Sequence, residues 1–291
     1  MFAGTCAAIV PGMQTWKDAT RSTLTLREGS LAYYRVGSGP DLVLVHGWPL
    51  HAATFRHLVP LLAGSFTLHM VDLPGTGRST WNGPLTLRKS AEVLGEALLR
   101  LDLPSYTLFG HDSGGAMARR VAADDPRVRA LILEDTEIPH DRNPLLVALI
   151  TMCAVPGANR LFPWALQKRS FRRSMFGFGS CFADPAYIDS DFGELFVKPL
   201  AEAAVARSQM ELGKSFDLAF VDELDAVHRR LTMRTLCIWG ERDPFFPVKA
   251  ARAMAKALPG ETTFVEIPGA RLLPHEDHPA QVADAIRGFL A

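Results

Sequence analysis

The sequence predicts an α/β fold, in which a mostly parallel sheet carries a helical insertion, and three observations lead to this prediction. Six short runs rich in leucine or β-branched residues are separated, in most cases, by segments long enough to form helices. These runs are apolar throughout, as expected of strands that are covered on both faces. Strand and helix alternation with right-handed crossovers gives parallel pairing, and one long interruption of the alternation marks the insertion.

The first two strands are expected to form an antiparallel hairpin. Residues 23–27 and 31–36 have strand-like composition and flank the turn Glu28, Gly29 and Ser30. The six apolar runs follow at residues 42–45, 68–71, 106–109, 131–133, 236–239 and 263–267. The sequence therefore predicts eight strands.

The alternation stops between residues 139 and 231, which we interpret as a mostly helical cap inserted into a core formed by residues 1–138 and 232–291. Its apolar run at residues 145–155 is expected to form a buried lid helix, and its basic residues 168–173 to lie on a solvated helix face. The last helix begins near Pro279, where Val282, Ile286 and Leu290 form one apolar stripe that closes the core.

Composition narrows the classes of partner. Basic and acidic residues both number 31, so the formal net charge is zero and a nucleic acid partner is not indicated. The four cysteines show neither CxxC nor zinc-ligand spacing, which fits a reducing cytoplasm. The N-terminal stretch lacks a basic region typical of signal peptides, and no apolar run approaches the roughly 20 residues that cross a bilayer. We expect a cytoplasmic monomer or homodimer with a small hydrophobic substrate and no membrane partner.

Residues 110–115, GHDSGG, follow an apolar strand and precede a helix, and two of them are candidate nucleophiles. A nucleophile on such a strained turn needs small residues two positions before and after it. Asp112 meets this need with Gly110 and Gly114, whereas Ser113 would place His111 at a position that requires a small residue. The pattern favours Asp112 as the reactive residue and leaves a Ser113-based esterase as the weaker alternative.

Four motifs resemble the α/β-hydrolase superfamily, in particular the branch with an aspartate nucleophile that includes epoxide hydrolases and haloalkane dehalogenases. They are HGWP at residues 46–49, DLPGTGRS at 72–79, GHDSGG at 110–115 and WGERDP at 239–244. The resemblance covers residues 22–290, with the cap matched by position alone. It implies a mostly parallel eight-stranded α/β-hydrolase sheet with a helical cap after the sixth strand.

The resemblance also implies a mechanism that uses neither a metal nor an organic cofactor. Asp112 would attack an electrophilic carbon and form an ester, which a histidine-activated water would hydrolyse. The backbone N–H groups of Trp48 and Ser113 would form the oxyanion hole. Asp243 would orient the histidine, with Asp135 at the end of another strand as the alternative acid.

The expected histidine position is the one departure from this pattern. Counted back from Glu276 and Pro279, that position is Leu272, which cannot act as a base. His275 in the same loop is the preferred replacement, and His278 is a second one. If neither reaches Asp112, the protein is expected to trap substrate as an ester or to be a noncatalytic ligand-binding protein.

The substrate class remains open between a carbon–halogen bond and an epoxide. Trp48, Trp164 and Tyr187 are the candidate substrate-binding residues, because aromatic side chains under a cap indicate an apolar pocket. Epoxide hydrolases use paired cap tyrosines, and the insertion contains only Tyr187. Haloalkane dehalogenases carry a tryptophan directly after the nucleophile, and this chain has Ser113 there.

Overall fold

A computed structural model describes residues 15–291 and contains one twisted sheet with helices on both faces. Within these residues the strands are β1 Thr20–Leu26, β2 Gly29–Gly37, β3 Asp41–Val45, β4 Thr67–Val71, β5 Thr80–Trp81, β6 Tyr106–His111, β7 Val128–Glu134, β8 Arg234–Gly240 and β9 Thr262–Ile267. Their order is β1-β2-β4-β3-β6-β7-β8-β9, with the two-residue β5 paired to β2.

The predicted strands and their pairing are confirmed. β1 and β2 form the antiparallel hairpin, and β2 also pairs antiparallel to β4. From β4 through β9 along the main sheet every pairing is parallel. Apart from β5 the sheet has the eight predicted strands, and each of the six apolar runs lies within one strand.

The helices cover both faces of the sheet and fill the segment between β7 and β8. They are α1 Val59–Leu62, α2 Leu87–Leu101, α3 Ser113–Asp124, α4 Pro144–Ala154, α5 Ala158–Leu166, α6 Arg169–Arg172, α7 Ala203–Lys214, α8 Leu218–Asp222, α9 Leu224–His228, α10 Val248–Ala257, α11 Pro274–Asp277 and α12 Pro279–Leu290. α12 begins at Pro279 as predicted and buries Val282 and Ile286, together with Ala283 and Phe289, while Leu290 is only half-buried.

Two apolar clusters sandwich the sheet because alternate strand residues point to opposite faces. Val43, Leu131 and Cys237 belong to one cluster, and their neighbours along the strands belong to the other. Cys153, Cys181 and Cys237 are free and buried. The prediction about the N-terminal stretch falls on residues 1–14, outside the described residues.

The segment between β7 and β8 is helical, but α4 is not the buried lid helix that the sequence predicted. Of the residues of α4 only Cys153 is buried, while the others are half-buried or exposed. The helix is apolar on most sides, so packing of one face against α7 and α5 leaves apolar residues exposed on the other. Across the described residues, none of the helices has both the length and the apolar character needed to span a bilayer.

Candidate functional site

Asp112 occupies a strained backbone position between β6 and α3. Its φ is 50° and its ψ is −134°, a combination that few residues other than glycine adopt. A Cβ on Gly110 would lie 2.6 Å from the Gly114 carbonyl, and one on Gly114 would lie 2.5 Å from the Val45 and His46 carbonyls. Small residues are therefore required at both positions, as the sequence pattern indicated.

The Asp112 carboxylate is held by backbone N–H groups. The Trp48 N–H donates to Oδ2 over 2.9 Å, and the Ser113 N–H also bonds to this carboxylate. Burial and the neighbouring Glu137 raise the pKa of Asp112 well above its ordinary value, whereas the two amides lower it. The residues predicted to form the oxyanion hole thus hold an oxygen of Asp112 itself.

Asp112 borders a small apolar cavity of about 70 Å³ between the sheet edge and the inserted segment. This volume equals roughly five water-sized spaces. The lining residues include Trp48, as predicted, and side chains from α4, α5 and the loops after β8 and β9. They are Trp48, Pro49, Leu50, His111, Asp112, Leu146, Leu149, Ile150, Cys153, Phe162, Gly177, Phe178, Cys181, Gly213, Phe216, Phe245, Phe246, Leu272 and Leu273. Such a lining favours a small apolar ligand.

Ser113 does not share this cavity. Its hydroxyl is buried, lies 3.0 Å from the Trp48 nitrogen and borders a separate small void with His46, Leu73 and Met117. A serine nucleophile needs its hydroxyl in the ligand cavity. The geometry therefore disfavours the Ser113 alternative.

The two candidate acids, Asp243 and Asp135, lie side by side and share a hydrogen bond between their carboxyl groups. Asp135 also accepts from the Gly240 N–H at 2.9 Å, and Asp243 Oδ1 accepts from the Phe245 N–H at 2.8 Å. Burial raises the pKa of both groups, that of Asp135 further because Asp243 is next to it.

Asp243 also has one buried oxygen, Oδ2, with no hydrogen-bond donor in the described residues. The loop after β9 is held beside the loop that carries Asp243, because the Arg242 N–H donates to the Ala270 carbonyl at 2.9 Å. Two residues beyond Ala270, Leu272 lines the cavity and supplies no donor from its side chain. An acid position is therefore present beside the cavity, while the histidine that it would orient is replaced by leucine.

The structure does not bring His275 to Asp112, contrary to the preferred prediction. Pro274 begins the single turn of α11, which directs His275 inward, where it is fully buried. Its Nδ1 lies 2.5 Å from Glu134 Oε2, and its Nε2 lies 2.8 Å from Thr54 Oγ1. Both ring nitrogens are engaged, and His275 does not line the cavity. His278, the second replacement, bonds instead to Asp277 through Nδ1 at 2.6 Å.

The protons around His275 can be assigned from its partners. Thr54 donates its hydroxyl proton to Glu276 Oε1, so it accepts a proton from His275 Nε2. Burial lowers the pKa of His275 to about 4 and raises that of Glu134 to about 8. At neutral pH the protonated Glu134 therefore donates to His275 Nδ1, and this lone pair cannot accept a proton from water.

His111, Glu134 and His275 form a buried polar cluster below the cavity. Their ligating atoms lie within 4.8 Å of one another, which makes them a possible metal-binding set among the described residues. Two ligands of one zinc-sized ion are separated by about 3.3 Å, whereas Glu134 and His275 are 2.5 Å apart. We therefore interpret the cluster as a proton-sharing group, in which His111 Nε2 donates to the Leu272 carbonyl at 2.9 Å.

Trp164 and Tyr187 do not line the cavity, so their predicted contact with substrate is not supported. Trp164 is 60% exposed on the outer side of α5. The Tyr187 hydroxyl donates to the Glu276 carbonyl at 2.9 Å. Composition placed both aromatics in the insertion, but it did not specify which face of each helix packs inward.

Sequence reasoning missed a buried network that supports the Asp112 backbone. The Thr136 hydroxyl lies 2.8 Å from the Asp112 carbonyl, and the fully buried Arg119 donates to Thr136 and to the Glu137 carbonyl. One signal was present in the sequence. Arg119 lies four residues after Gly115 and three before Ala122, which helical spacing places on the packed face of α3.

The ion pair between Arg56 and Glu276 provides a stability prediction. Arg56 Nη1 lies 2.8 Å from both Glu276 oxygens, and the Glu276 side chain has no exposed surface. Arg56→Met leaves a buried carboxylate unpaired, so we expect the free energy of unfolding in urea to fall by about 3 to 5 kcal/mol. Arg100→Met, which removes an exposed pair with Glu96, is the control and should cost less than about 1 kcal/mol. Equal losses of unfolding free energy in the two variants would contradict the assignment of Arg56 and Glu276 as a buried ion pair.

Comparisons with known proteins agree with this fold. The model of a family described as the alpha/beta hydrolase family matches residues 42–285. A pimeloyl-[acyl-carrier protein] methyl ester esterase of Edwardsiella ictaluri is 30% identical over 272 residues, which cover 89% of this chain and 97% of the relative. A similar esterase of Xanthomonas campestris is 29% identical over 88% of this chain and 97% of its own.

Two solved structures resemble the chain in fold. Epoxide hydrolase CorEH has a TM-score of 0.80 at 21% identity and covers 94% of this chain and 98% of its own. A single-residue mutant of haloalkane dehalogenase DatA from Agrobacterium tumefaciens also has a TM-score of 0.80, at 19% identity, with 94% and 96% covered. Equal scores for an epoxide hydrolase and a dehalogenase do not discriminate between the two chemistries.

Proposed function

The chain belongs to the alpha/beta hydrolase family, and we propose that it is a hydrolase that captures a small apolar electrophile as an ester on Asp112. One observation carries this proposal. The Asp112 carboxylate borders the apolar cavity while the Trp48 N–H holds its Oδ2 at 2.9 Å. A carboxylate that is fixed by backbone donors beside an apolar ligand is positioned to attack carbon.

The first step needs no proton transfer. An Asp112 oxygen supplies an electron pair to a saturated carbon, a C–O bond forms, and the bond from carbon to the leaving group breaks with its electrons. The Trp48 and Ser113 N–H groups remain on the ester oxygen and later stabilise the oxyanion that water attack creates. Water then releases the alcohol and restores the Asp112 carboxylate.

The cavity supports halide displacement better than epoxide opening. A departing halide takes no proton, whereas the oxygen of an opening epoxide needs a proton donor. Tyr187, the one tyrosine predicted for that role, donates to the Glu276 carbonyl outside the cavity. We therefore propose a carbon–halogen bond as the preferred target, with a carbon skeleton of only a few atoms.

The second step is expected to be slow because His111, the histidine that lines the cavity, is too weak a base to activate water efficiently. Leu272 occupies the expected position, and the pKa of His111 is lowered to about 3 by burial while its Nε2 donates to the Leu272 carbonyl. General-base assistance is typically worth about 10² to 10⁴ in rate. The ester on Asp112 should therefore accumulate.

A noncatalytic ligand-binding protein is the second candidate. It is favoured by Leu272 and by the raised pKa of Asp112, since a protonated carboxyl is not a nucleophile. The strained backbone of Asp112 and its two amide donors favour the hydrolase, because apolar ligand binding alone requires neither.

Incubation with bromobutane, and in parallel with epoxybutane, tests the proposal. We expect bromide release close to one equivalent per protein, together with a mass increase of one butyl group in the intact protein. Epoxybutane, which has the same carbon skeleton, should react more slowly than bromobutane. Reversible binding of bromobutane with neither bromide nor a mass increase would reject the proposal and support the ligand-binding candidate.

A further inference from the structure

Large apolar side chains are exposed almost entirely in one part of the described chain. Six such residues are conspicuous, and five of them lie between residues 155 and 176, while the sixth is Leu99 on α2. We call these five the outer patch: Val155 (51% exposed), Leu161 (65%), Trp164 (60%), Met175 (54%) and Phe176 (46%). A cluster of this kind marks an interaction surface more often than scattered single residues do.

The outer patch lies on the wall of the ligand cavity. α5 carries Leu161 and Trp164 at a spacing of three residues on its outer side, and it directs Phe162 into the cavity. The loop after α6 repeats this arrangement, because Phe176 is exposed while Gly177 and Phe178 line the cavity. Whatever covers the outer patch is therefore one layer of side chains from the ligand.

The segment that carries the outer patch is rich in positive charge. Residues 155–178 contain five arginine or lysine residues, namely Arg160, Lys168, Arg169, Arg172 and Arg173, and contain no acidic residue. Among residues 15–291, Asp189 alone pairs with this group, through Arg169, Arg172 and Arg173. Five positive charges less one negative charge leave four, in a chain whose formal net charge is zero.

We propose that the outer patch docks on an anionic lipid bilayer surface. Exposed tryptophan and leucine insert at the boundary between head groups and acyl chains, and nearby cations are attracted to anionic head groups. Lys168 follows this pattern, because its ammonium lies 5.3 Å from the centre of the Trp164 ring. This inference replaces the sequence-based expectation that the protein has no membrane partner, and it does not depend on the chemistry at Asp112.

A second copy of the chain fits the outer patch less well. A twofold dimer brings the same surface of each subunit together. Contact through the outer patch would therefore place the two groups of four net positive charges against each other. A bilayer with anionic lipid supplies the opposite charge and an apolar layer at the same time, which matches both features of the surface.

Co-sedimentation with sucrose-loaded vesicles tests this proposal on the full chain. We expect binding to phosphatidylcholine vesicles with about one third phosphatidylglycerol, and binding at least roughly tenfold weaker to pure phosphatidylcholine. The double variant Leu161→Ala and Trp164→Ala should lose at least roughly tenfold in affinity for the anionic vesicles. Leu99→Ala is the matched control and should bind as the parent does, because Leu99 is exposed outside the outer patch.

A charge variant keeps the test decisive if the apolar variant folds poorly. Lys168→Glu should weaken binding to the anionic vesicles by more than roughly fivefold. Lys249→Glu, the same charge change on α10, should not. Absence of binding, or equal effects of both variants, would overturn the proposal. Dimers in sedimentation velocity that the apolar variant disperses, without any vesicle binding, would overturn it in favour of self-association.

Discussion

Leu272→His is expected to convert a protein that retains its ester into one that turns over. With bromobutane, we expect bromide release to continue beyond one equivalent, and hydrolysis of the ester to accelerate by about 10² to 10⁴. The mass increase of one butyl group should disappear from the protein once bromobutane is consumed. The two measurements are bromide release against time and intact mass after removal of the substrate.

The physical reason lies in the acid that is already in place. Asp243 Oδ1 is fixed by the Phe245 N–H, and Oδ2 is buried without a donor in the described part of the chain. A histidine at position 272 would offer an N–H group to Asp243 Oδ2, and its second nitrogen would be available to water in the cavity. An acid that orients a histidine in this way fixes its tautomer and stabilises its charged form.

Leu273→His is the matched control, because Leu273 is the next residue and also lines the cavity. It introduces the same side chain one position away from the expected site of the base, and it should not restore turnover. Adding Asp243→Asn to Leu272→His should remove most of the gain. If Leu273→His accelerates hydrolysis as much as Leu272→His does, position 272 is not the site of the missing base.

The sheet was predictable because each of its strands is specified by a few consecutive residues. An apolar run such as residues 236–239 can be satisfied only between two covered faces, and α12 is marked by Pro279 and by residues spaced every four positions. Asp112 was predictable from its neighbours in the same way. Gly110 and Gly114 are residues without a Cβ at the two positions where this tight turn has no space for one. Both kinds of signal depend on a few neighbouring residues.

The direction of side chains from loops and inserted helices was not predictable in the same way. His275 is two residues from Leu273 in sequence, yet Pro274 begins a helical turn that sends its ring to Glu134, a partner 141 residues away. Trp164 was expected in the cavity, but Phe162 on the same helix occupies that place. The choice between them depends on which face of α5 packs on its neighbours, and composition does not encode that choice.

Asp112→Asn is expected to abolish capture of bromobutane, with adduct formation reduced by more than roughly 10³, because an amide is not a nucleophile at neutral pH. The asparagine oxygen can still accept from the Trp48 N–H, so the backbone and the cavity should be retained. Loss of the mass increase, with reversible binding of bromobutane preserved, would assign the chemistry to Asp112. An unchanged adduct would place the reactive group elsewhere.

The same substitution should also raise stability at neutral pH. Burial and Glu137 raise the pKa of Asp112 in the folded protein above its unfolded value of about 3.9. The folded state therefore binds more protons than the unfolded chain, and the free energy of unfolding falls as the pH rises between the two values. Asparagine cannot ionise, so it removes this penalty. Functional charged groups often reduce the stability of a protein in this way.

The advantage of Asp112→Asn over the parent should consequently shrink as the pH falls from neutral towards about 3.9, the ordinary pKa of an aspartate. Urea unfolding at a series of pH values measures the difference. Asp284→Asn, at an exposed side chain (73%), is the control and should show no comparable trend. A stability difference that grows as the pH falls would mean that Asp112 is held as a carboxylate by donors strong enough to outweigh its burial, and capture would then persist into acidic solution.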